Sequence, residues 1–306
     1  MTNRDSMKRG RAAAWRPLGY GPSDRQRTAH DSQSRLTLVA GGERAWQSRS
    51  SAMELVWQLR AARLFWIVGP DYEQRRPELQ YVIDSLYAVD DIKTMSGPAR
   101  GPCVVVTKTG SRIVTKSARS PERLAGEAPD GILLCEAAQC NYEVYLRLRG
   151  RVAEKRGWLS LSGTFEGSQN WYAEKVNQWS SQNPEGGKSF SMPPWENSIL
   201  YPGGYDDPEI QALRITYPKD LFLERFGGEP SPPSGLVFRE FNSKIHVEEC
   251  PVDWSARVEL AIDPGYAGAY AVLALRWEPG LARVVDEIYV TQQVAATVIR
   301  ECRSRK

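Results

Sequence analysis

Short apolar runs alternate with amphipathic stretches through the first half of the chain. Three apolar runs of strand length predict buried strands, at residues 36–40, 64–69 and 131–135, and residues 158–161 predict a further strand. Three stretches with apolar residues at helical spacing predict helices, at residues 48–63, 73–87 and 142–155. Residues 103–107 and 112–116 flank a turn sequence and predict a hairpin. Strands that alternate with helices favour an α/β fold with a mostly parallel central sheet.

The pattern changes after residue 180, where turn-forming residues become frequent. The sequence EPSPPSG, residues 229–235, is the strongest candidate for a linker. Beyond it, alternating apolar and polar residues predict four strands, at residues 236–241, 258–263, 270–276 and 283–290. Their short connections favour antiparallel pairing, and residues 291–303 have helical spacing. We therefore expect a parallel α/β domain followed by a smaller, strand-rich part.

The composition is that of a globular protein. Of the 306 residues, 41% are hydrophobic and 25% are charged, which excludes a wholly disordered chain. No apolar run approaches the ~18 residues of a membrane helix, and the first residues lack the apolar core of a secretion signal. We therefore expect no membrane partner and no secretion. Five cysteines without C-x-x-C spacing and only two histidines argue against a structural zinc site.

The net charge of +3 is unevenly distributed. Residues 1–35 carry eight lysines and arginines against three aspartates, so this segment has a charge of +5 and the remainder −2. A basic arm of this kind can bind a polyanion such as DNA. A solvated, poorly ordered tail is the alternative interpretation of its first residues.

The stretch GGERAWQS, residues 41–48, lies between a predicted strand and a predicted helix, where phosphate-binding loops occur. Such loops follow the pattern G-x-x-x-x-G-K-[ST], and their backbone N–H groups and helix N-terminus face phosphate oxygens. Gly41 and Ser48 have the required spacing, whereas Trp46 and Gln47 replace the second glycine and the lysine. A plain turn fits the same residues.

Two further strand ends carry polar residues that suit ATP chemistry. Glu136 directly follows an apolar strand, the place from which P-loop ATPases present a base to the attacking water. Thr164 follows the next predicted strand within Ser-Gly-Thr, where ATPases with an extra central strand sense the γ-phosphate. Taken singly, Glu136 is equally a surface carboxylate, and Thr164 is equally part of a turn.

A third strand end, Asp263-Pro264-Gly265, lies between two predicted strands. An aspartate there suits an RNase H-like nuclease, in which several carboxylates hold two metal ions for attack on a phosphodiester. A tight turn is the alternative.

These motifs occur in an order that resembles the large terminase subunits of tailed bacteriophages, the motors that package DNA. The resemblance begins ahead of the loop with Trp15-Arg16-Pro17, Gln26, His30, Ser32 and Arg35, a stretch thought to hold adenine in that family. It continues through the loop, the strand end Cys135-Glu136-Ala137-Ala138 and Ser162-Gly163-Thr164. It ends with FLERFGGE at 222–229, GLVFREF at 235–241 and the Asp263 turn, so that it spans nearly the whole chain.

The resemblance implies a domain organisation and a set of site residues. The expected segments are a basic arm with the adenine-contacting stretch (1–30), a P-loop ATPase αβα sandwich (31–228), a linker (229–235) and an incomplete RNase H-like nuclease domain (236–306). Glu136 and Asp263 would be catalytic, and Ser48 and Asp263 would bind metal. The residues implied to contact ATP are Gln26, Gly41, Gly42, Arg44, Gln47, Ser48 and Thr164.

The implied cofactors are ATP with Mg²⁺ in the ATPase, and Mg²⁺ or Mn²⁺ in a completed nuclease. The implied partners are double-stranded DNA, the portal protein, the small terminase subunit and further copies of the chain in a ring. The implied location is the cytoplasm of the bacterial host and, transiently, the procapsid.

Three departures from the family pattern qualify these expectations. Gln47 lacks the charge of the P-loop lysine, and Trp46 is bulky where glycine lets the backbone approach phosphate. Cys135 stands where an aspartate ordinarily lies near Mg²⁺. The chain ends 43 residues after Asp263, so we expect a C-terminally truncated terminase. It would hydrolyse ATP poorly and would not cleave DNA alone. The Trp46-Gln47 pair is either a genuine double substitution or a local sequence error.

Two other classes of protein remain as alternatives. A helicase-like P-loop translocase shares an adenine-contacting glutamine and a strand-end glutamate, but it needs a second RecA-like domain. A degenerate prophage remnant would act only as a module that binds DNA or the portal protein.

Overall fold

The computed structural model describes residues 10–97, 101–166, 171–230, 243–249, 257–266 and 268–305. The chain divides into two compact units, Met1–Leu236 and Val237–Lys306. No helix within the described ranges is long and apolar enough to span a bilayer.

Eight strands form one sheet in the first unit. They are β1 (Leu36–Gly41), β2 (Leu64–Gly69), β3 (Ile92–Ser96), β4 (Val104–Thr107), β5 (Arg112–Ser117), β6 (Gly131–Leu134), β7 (Trp158–Gly163) and β8 (Lys188–Met192). Their spatial order is β3-β4-β5-β2-β6-β7-β1-β8. All neighbours from β5 to β8 pair in parallel, whereas β3 and β4 are antiparallel additions at one edge. The predicted α/β fold with a mostly parallel sheet is confirmed.

Helices cover both faces of this sheet. The helices of this unit are α1 (Asp24–His30), α2 (Gln47–Gln58), α3 (Arg76–Ala88), α4 (Tyr142–Arg151), α5 (Trp171–Trp179), α6 (Pro208–Thr216) and α7 (Lys219–Phe222), which runs into a π-helical turn at Leu223–Gly227. Helices α6 and α7 pack with each other in a separate apolar cluster. The side chains of β2 alternate between two apolar clusters. Phe65 and Ile67 pack with α2 and α3 on one face. Trp66 and Val68 belong to the cluster with α4 and α5 on the other.

Several sequence expectations differ from the structure in detail. The helix predicted at 48–63 ends at Gln58, and the one predicted at 142–155 ends at Arg151. Strands β3 and β8 were not predicted. The strand predicted at 236–241 lies outside the described residues, as does most of the predicted linker.

The described strands of the second unit form a three-stranded antiparallel sheet. These are β9 (Glu259–Asp263), β10 (Ala269–Glu278) and β11 (Leu281–Thr291), with β10 in the middle. The unit also contains α8 (Ser243–His246) and α9 (Ala295–Ser304). Val298 of α9 packs on Tyr270, Val272 and Ile288 of the sheet. The predicted antiparallel pairing is confirmed for these three strands.

Candidate functional site

The three motif-bearing strands of the first unit are neighbours in the sheet. Their order is β6-β7-β1, and Ala40 near the end of β1 lies beside Gly163 at the end of β7. Because the carboxyl ends of parallel strands share one edge, the loops that follow them converge there. The structure therefore brings together the loop 41–48, Glu136 and Thr164.

The Gln47 side chain lies between the loop 41–48 and Thr164. Its Nε2 donates a hydrogen bond of 3.4 Å to Oγ1 of Thr164. A Cβ added to Gly41 would lie 2.5 Å from Cδ of Gln47, so the glutamine side chain rests against the first glycine of the loop. The side chain that replaces the lysine thus lies across the loop, but it brings no positive charge.

The loop backbone adopts the left-handed region at two residues that have side chains. The φ angle is +65° at Arg44 and +62° at Trp46, the residue that precedes α2. The left-handed region costs an L-amino acid about 1–2 kcal/mol, whereas glycine adopts it freely. Trp46 occupies the position of the second glycine of the phosphate-loop pattern, and its backbone has the conformation that favours glycine.

Protein carbonyls already bind part of the loop. The N–H of Gly42 donates to the carbonyl of Met192 at 2.9 Å, and the N–H of Glu43 donates to that of Arg225 at 2.8 Å. A Cβ on Gly42 would lie 2.0 Å from the carbonyl oxygen of Phe226, so only glycine fits there. Because the first N–H groups of a helix lack partners within it, the donors available to a phosphate come mainly from the first turn of α2.

Arg44 contacts the neighbouring structure through its backbone carbonyl. Its carbonyl accepts a hydrogen bond of 3.3 Å from Nδ2 of Asn197, and its side chain is exposed.

Glu136 faces a cavity of about 280 Å³ that the loop residue Glu43 and Thr164 also line. Burial raises the pKa of the Glu136 carboxyl, and the neighbouring Glu166 raises it further. The backbone N–H of Thr164 donates to the Glu136 carboxylate and opposes this shift. A carboxylate with a raised pKa is a stronger proton acceptor, which suits a general base.

Glu78 is a site residue that the sequence analysis missed. It lies in the first turn of α3, its side chain is buried, and its Oε2 has no hydrogen-bond partner among the described residues. The Ser48 hydroxyl and the Cys135 thiol donate to the Glu78 carboxylate. Burial raises the pKa of Glu78 to about 7 despite the hydrogen bond from Ser48, and the charge of Glu136 adds to the shift. No local sequence pattern marks this residue, because only the fold brings α3 to the loop.

Ser48, Glu78 and Cys135 determine whether a divalent cation fits this site. The Ser48 hydroxyl and the free oxygen of Glu78 are hard ligands of the kind that Mg²⁺ prefers. Cys135 does not fit, since burial raises the pKa of its thiol well above the usual value and keeps it protonated. Within the described ranges, no three His, Cys, Asp or Glu side chains are close enough to hold a metal by themselves. An ion here would need further ligands from nucleotide phosphates and water.

Gln26 lines a second cavity of about 170 Å³, beside Ala45 and Trp46 of the loop. Its Oε1 accepts a hydrogen bond of 3.0 Å from the N–H of Ser23 in the capping box of α1. His30, from the same motif, does not line this cavity, and its Nδ1 lies 2.8 Å from Oε2 of Glu54. Of the two motif residues, only Gln26 lines the cavity beside the loop.

Asp263 belongs to the second unit. It ends β9 and is exposed. The described residues contain no carboxylate cluster around it that could hold two metal ions.

Comparison with known proteins extends these observations. No protein-family model matches the chain. The large terminase subunit of Thermus virus P23-45 is 24% identical over 72% of this chain and 51% of its own length. That of Thermus phage G20c is 24% identical over 51% of this chain and 36% of its own length. The matched regions thus span about half or less of these curated relatives.

Solved structures show the same likeness in the fold. The ATPase domain of the large terminase of Thermus phage P74-26 superposes with a TM-score of 0.58 at 21% identity, covering 70% of this chain and 96% of that domain. The large terminase of another thermophilic bacteriophage, in complex with ADP, gives 0.55 at 13% identity, covering 92% of this chain and 73% of the other. The large terminase of bacteriophage HK97 gives 0.55 at 9% identity, covering 93% and 66%.

The first unit therefore has the α/β fold of the ATPase domains of large terminases. The resemblance to large terminase subunits, indicated by the order of the motifs, is confirmed.

Proposed function

We propose that this chain is a nucleotide-binding subunit of a phage DNA-packaging motor, which uses ATP to move double-stranded DNA into the procapsid. The observation that carries the proposal is the convergence of the loop 41–48, Glu136 and Thr164 at one edge of a terminase-like sheet. The curated relatives are large terminase subunits, and the ADP bound to the second of the solved terminases supplies the ligand class.

Each residue has a distinct role in this proposal. The first turn of α2 and the Gln47 amide bind phosphate oxygens, and Gln26 with Trp46 lines the site of the base. Glu136 accepts a proton from the attacking water, and the Thr164 N–H holds its carboxylate in place.

Magnesium fits this site through Ser48. When bound with ATP, Mg²⁺ offsets the negative charge of the β- and γ-phosphates. The chain's own contribution is the Ser48 hydroxyl, which the Glu78 carboxylate holds by a hydrogen bond. Gln47 supplies no charge at these phosphates, so we expect slow hydrolysis.

The partners proposed for the whole motor follow from the family. They are double-stranded DNA, the portal protein, the small terminase subunit and further copies of this chain in a ring. The basic arm is the first candidate to contact DNA, because residues 1–35 carry a charge of +5.

We assign the second unit to the start of an RNase H-like nuclease, with Asp263 as one carboxylate for Mg²⁺ or Mn²⁺. A helicase-like translocase would need a second RecA-like domain with a parallel sheet. The described strands of the second unit are antiparallel, which favours the terminase over the helicase alternative.

Equilibrium binding of a fluorescent ATP analogue tests the proposed site. We expect saturable binding that unlabelled ATP displaces, and weaker binding in the presence of Mg²⁺ for Ser48→Ala. Ser51→Ala, one turn further along α2, is the matched control because its buried hydroxyl has no hydrogen-bond partner among the described residues. Absence of displaceable binding, or equal affinity for both variants, would contradict the assignment.

A further inference from the structure

A buried carboxylate oxygen lies next to the proposed nucleotide site without a partner. Glu78 is 1% exposed, and its Oε2 accepts no hydrogen bond from the described residues. Leaving a buried charged acceptor unsatisfied is unfavourable, so natural structures usually supply a partner from protein, water or an ion. The position of this oxygen therefore indicates a ligand that arrives from outside the chain.

The contacts of Glu78 place it at the phosphate end of the site. The Ser48 hydroxyl donates to its carboxylate, and Ser48 follows Gln47 in the first turn of α2. A group that holds a metal-binding hydroxyl by a hydrogen bond fixes the direction of that hydroxyl and tunes its affinity for the ion. Glu78 therefore accepts a hydrogen bond from Ser48, the loop residue best suited to bind a cation.

Glu78 also contacts the residue that breaks the family pattern. The Cys135 thiol donates to the Glu78 carboxylate, and Cys135 occupies the strand-end position where the resemblance places an aspartate. A protonated thiol is a poor partner for a hard cation, whereas a carboxylate is a good one. The carboxyl group absent from the strand end is therefore present on the neighbouring α3.

We propose that Glu78 is the positioning residue for the magnesium ion of the bound nucleotide, in the role that Cys135 leaves vacant. This inference rests on the proposed function, because the ion enters with the nucleotide. Glu78 holds the Ser48 hydroxyl toward the ion, and its free oxygen accepts a hydrogen bond from water bound to the ion.

The test measures how much Mg²⁺ strengthens nucleotide binding, using the fluorescent ATP analogue with Mg²⁺ or with EDTA. For the wild-type chain we expect higher affinity with Mg²⁺ than with EDTA, and loss of one outer partner of a metal site typically costs about tenfold or more in metal affinity. Glu78→Gln should lose most of this gain and keep its affinity in EDTA. Glu73→Gln, an exposed glutamate of the preceding segment, is the charge-matched control and should keep the gain.

A compensating variant separates this role from simple stabilisation of the fold. Glu78→Gln/Cys135→Asp moves the carboxylate to the strand end without changing the net charge, and it should regain the Mg²⁺ dependence. Should Glu78→Gln not fold, Glu78→Asp replaces it, since it keeps the charge and shortens the reach. We then expect the Mg²⁺ concentration for half-maximal binding to rise about tenfold.

The possible outcomes are distinct. Undiminished Mg²⁺ dependence in Glu78→Gln, an unchanged half-maximal concentration in Glu78→Asp, or a folded double variant without rescue would each overturn the role of Glu78. A wild-type chain that binds no nucleotide under either condition would instead refute the proposed function.

Discussion

Gln47 Nε2 donates a hydrogen bond to Thr164 Oγ1 and so joins the end of the phosphate-loop candidate to the end of the neighbouring strand β7. The glutamine side chain lies against Gly41, within the curve of the loop. The position that carries a lysine in the family pattern is thus directed at the site, and only its charge is missing.

Restoring that charge should increase ATP hydrolysis. We expect Trp46→Gly/Gln47→Lys to raise kcat on the order of 10²–10³, the usual effect of one preorganised charge-stabilising group. Trp46→Gly/Gln47→Met is the control, because methionine has nearly the length of lysine without its charge. A rate of phosphate release that is equal in the two double variants would contradict a phosphate-binding role for residue 47.

The left-handed backbone at Trp46 predicts an unusual order of stability between two small substitutions. Trp46→Gly and Trp46→Ala both remove the ring contact with Arg49, whose guanidinium carbon lies 5.3 Å from the ring centroid. Only glycine relieves the positive φ, so Trp46→Gly should have a free energy of unfolding about 1 kcal/mol higher than Trp46→Ala. Urea denaturation checks this. If Trp46→Ala were more stable than Trp46→Gly, as alanine is relative to glycine within ordinary helices, the loop would not hold this conformation.

Glu54 should make the stability of the first unit depend on pH. Burial alone would raise the pKa of this carboxyl, but hydrogen bonds from His30 and Gln58 and the charge of Arg11 lower it below the usual value. Arg11 contributes an ion pair of 2.7 Å. A lowered folded-state pKa gives stability that is present above the ordinary carboxyl pKa of ~4.3 and is lost as pH falls below it.

Glu54→Gln should therefore lower the free energy of unfolding by about 2 kcal/mol at pH 7, and the difference from wild type should shrink below about pH 4. Thermal unfolding followed by circular dichroism measures both. Glu122→Gln, at an exposed position, is the control and should have little effect at either pH. A difference that persists unchanged at low pH would exclude the ion pair as its origin.

From the described part of the second unit, we predict that the purified chain does not cleave DNA in a metal-dependent reaction. Two ions need several carboxylates to hold them together against their mutual repulsion, and Asp263 is exposed without such a cluster among the described residues. Plasmid incubated with the purified chain and Mn²⁺ should remain intact. Cleavage that co-purifies with the chain and disappears in Asp263→Asn would contradict this expectation.

The sequence revealed the centre of the sheet better than its edges. Strands β1, β2 and β6 lie between helical layers, so nearly all their side chains are apolar and the runs stand out, whereas β7 was predicted although it contains Ser160 and Ser162. Strand β8, with the sequence KSFSM, pairs on one side only and keeps polar residues, and β3 is largely exposed at the opposite edge. Edge strands of this kind give no apolar run.

In the candidate site, too, the sequence indicated some residues and missed another. Gly41 ends β1, Ser48 lies at the start of α2, and Glu136 and Thr164 follow the ends of β6 and β7, so motif spacing could locate all four. Glu78 could not be found in this way, because it is an ordinary acidic residue in the first turn of a helix. Its importance comes from contacts with Ser48 and Cys135, which lie 30 and 57 positions away along the chain.

The most direct test of the central claim is the ATPase rate of Glu136→Gln against Glu166→Gln, both made in the Trp46→Gly/Gln47→Lys chain so that turnover is measurable. Both residues line the same cavity, and both changes remove one negative charge. We predict that Glu136→Gln lowers kcat by on the order of 10²–10⁴ with nucleotide affinity nearly unchanged, while Glu166→Gln retains most of the rate. Equal rates for the two variants would contradict the assignment of Glu136 as the base and of this strand edge as an ATPase site.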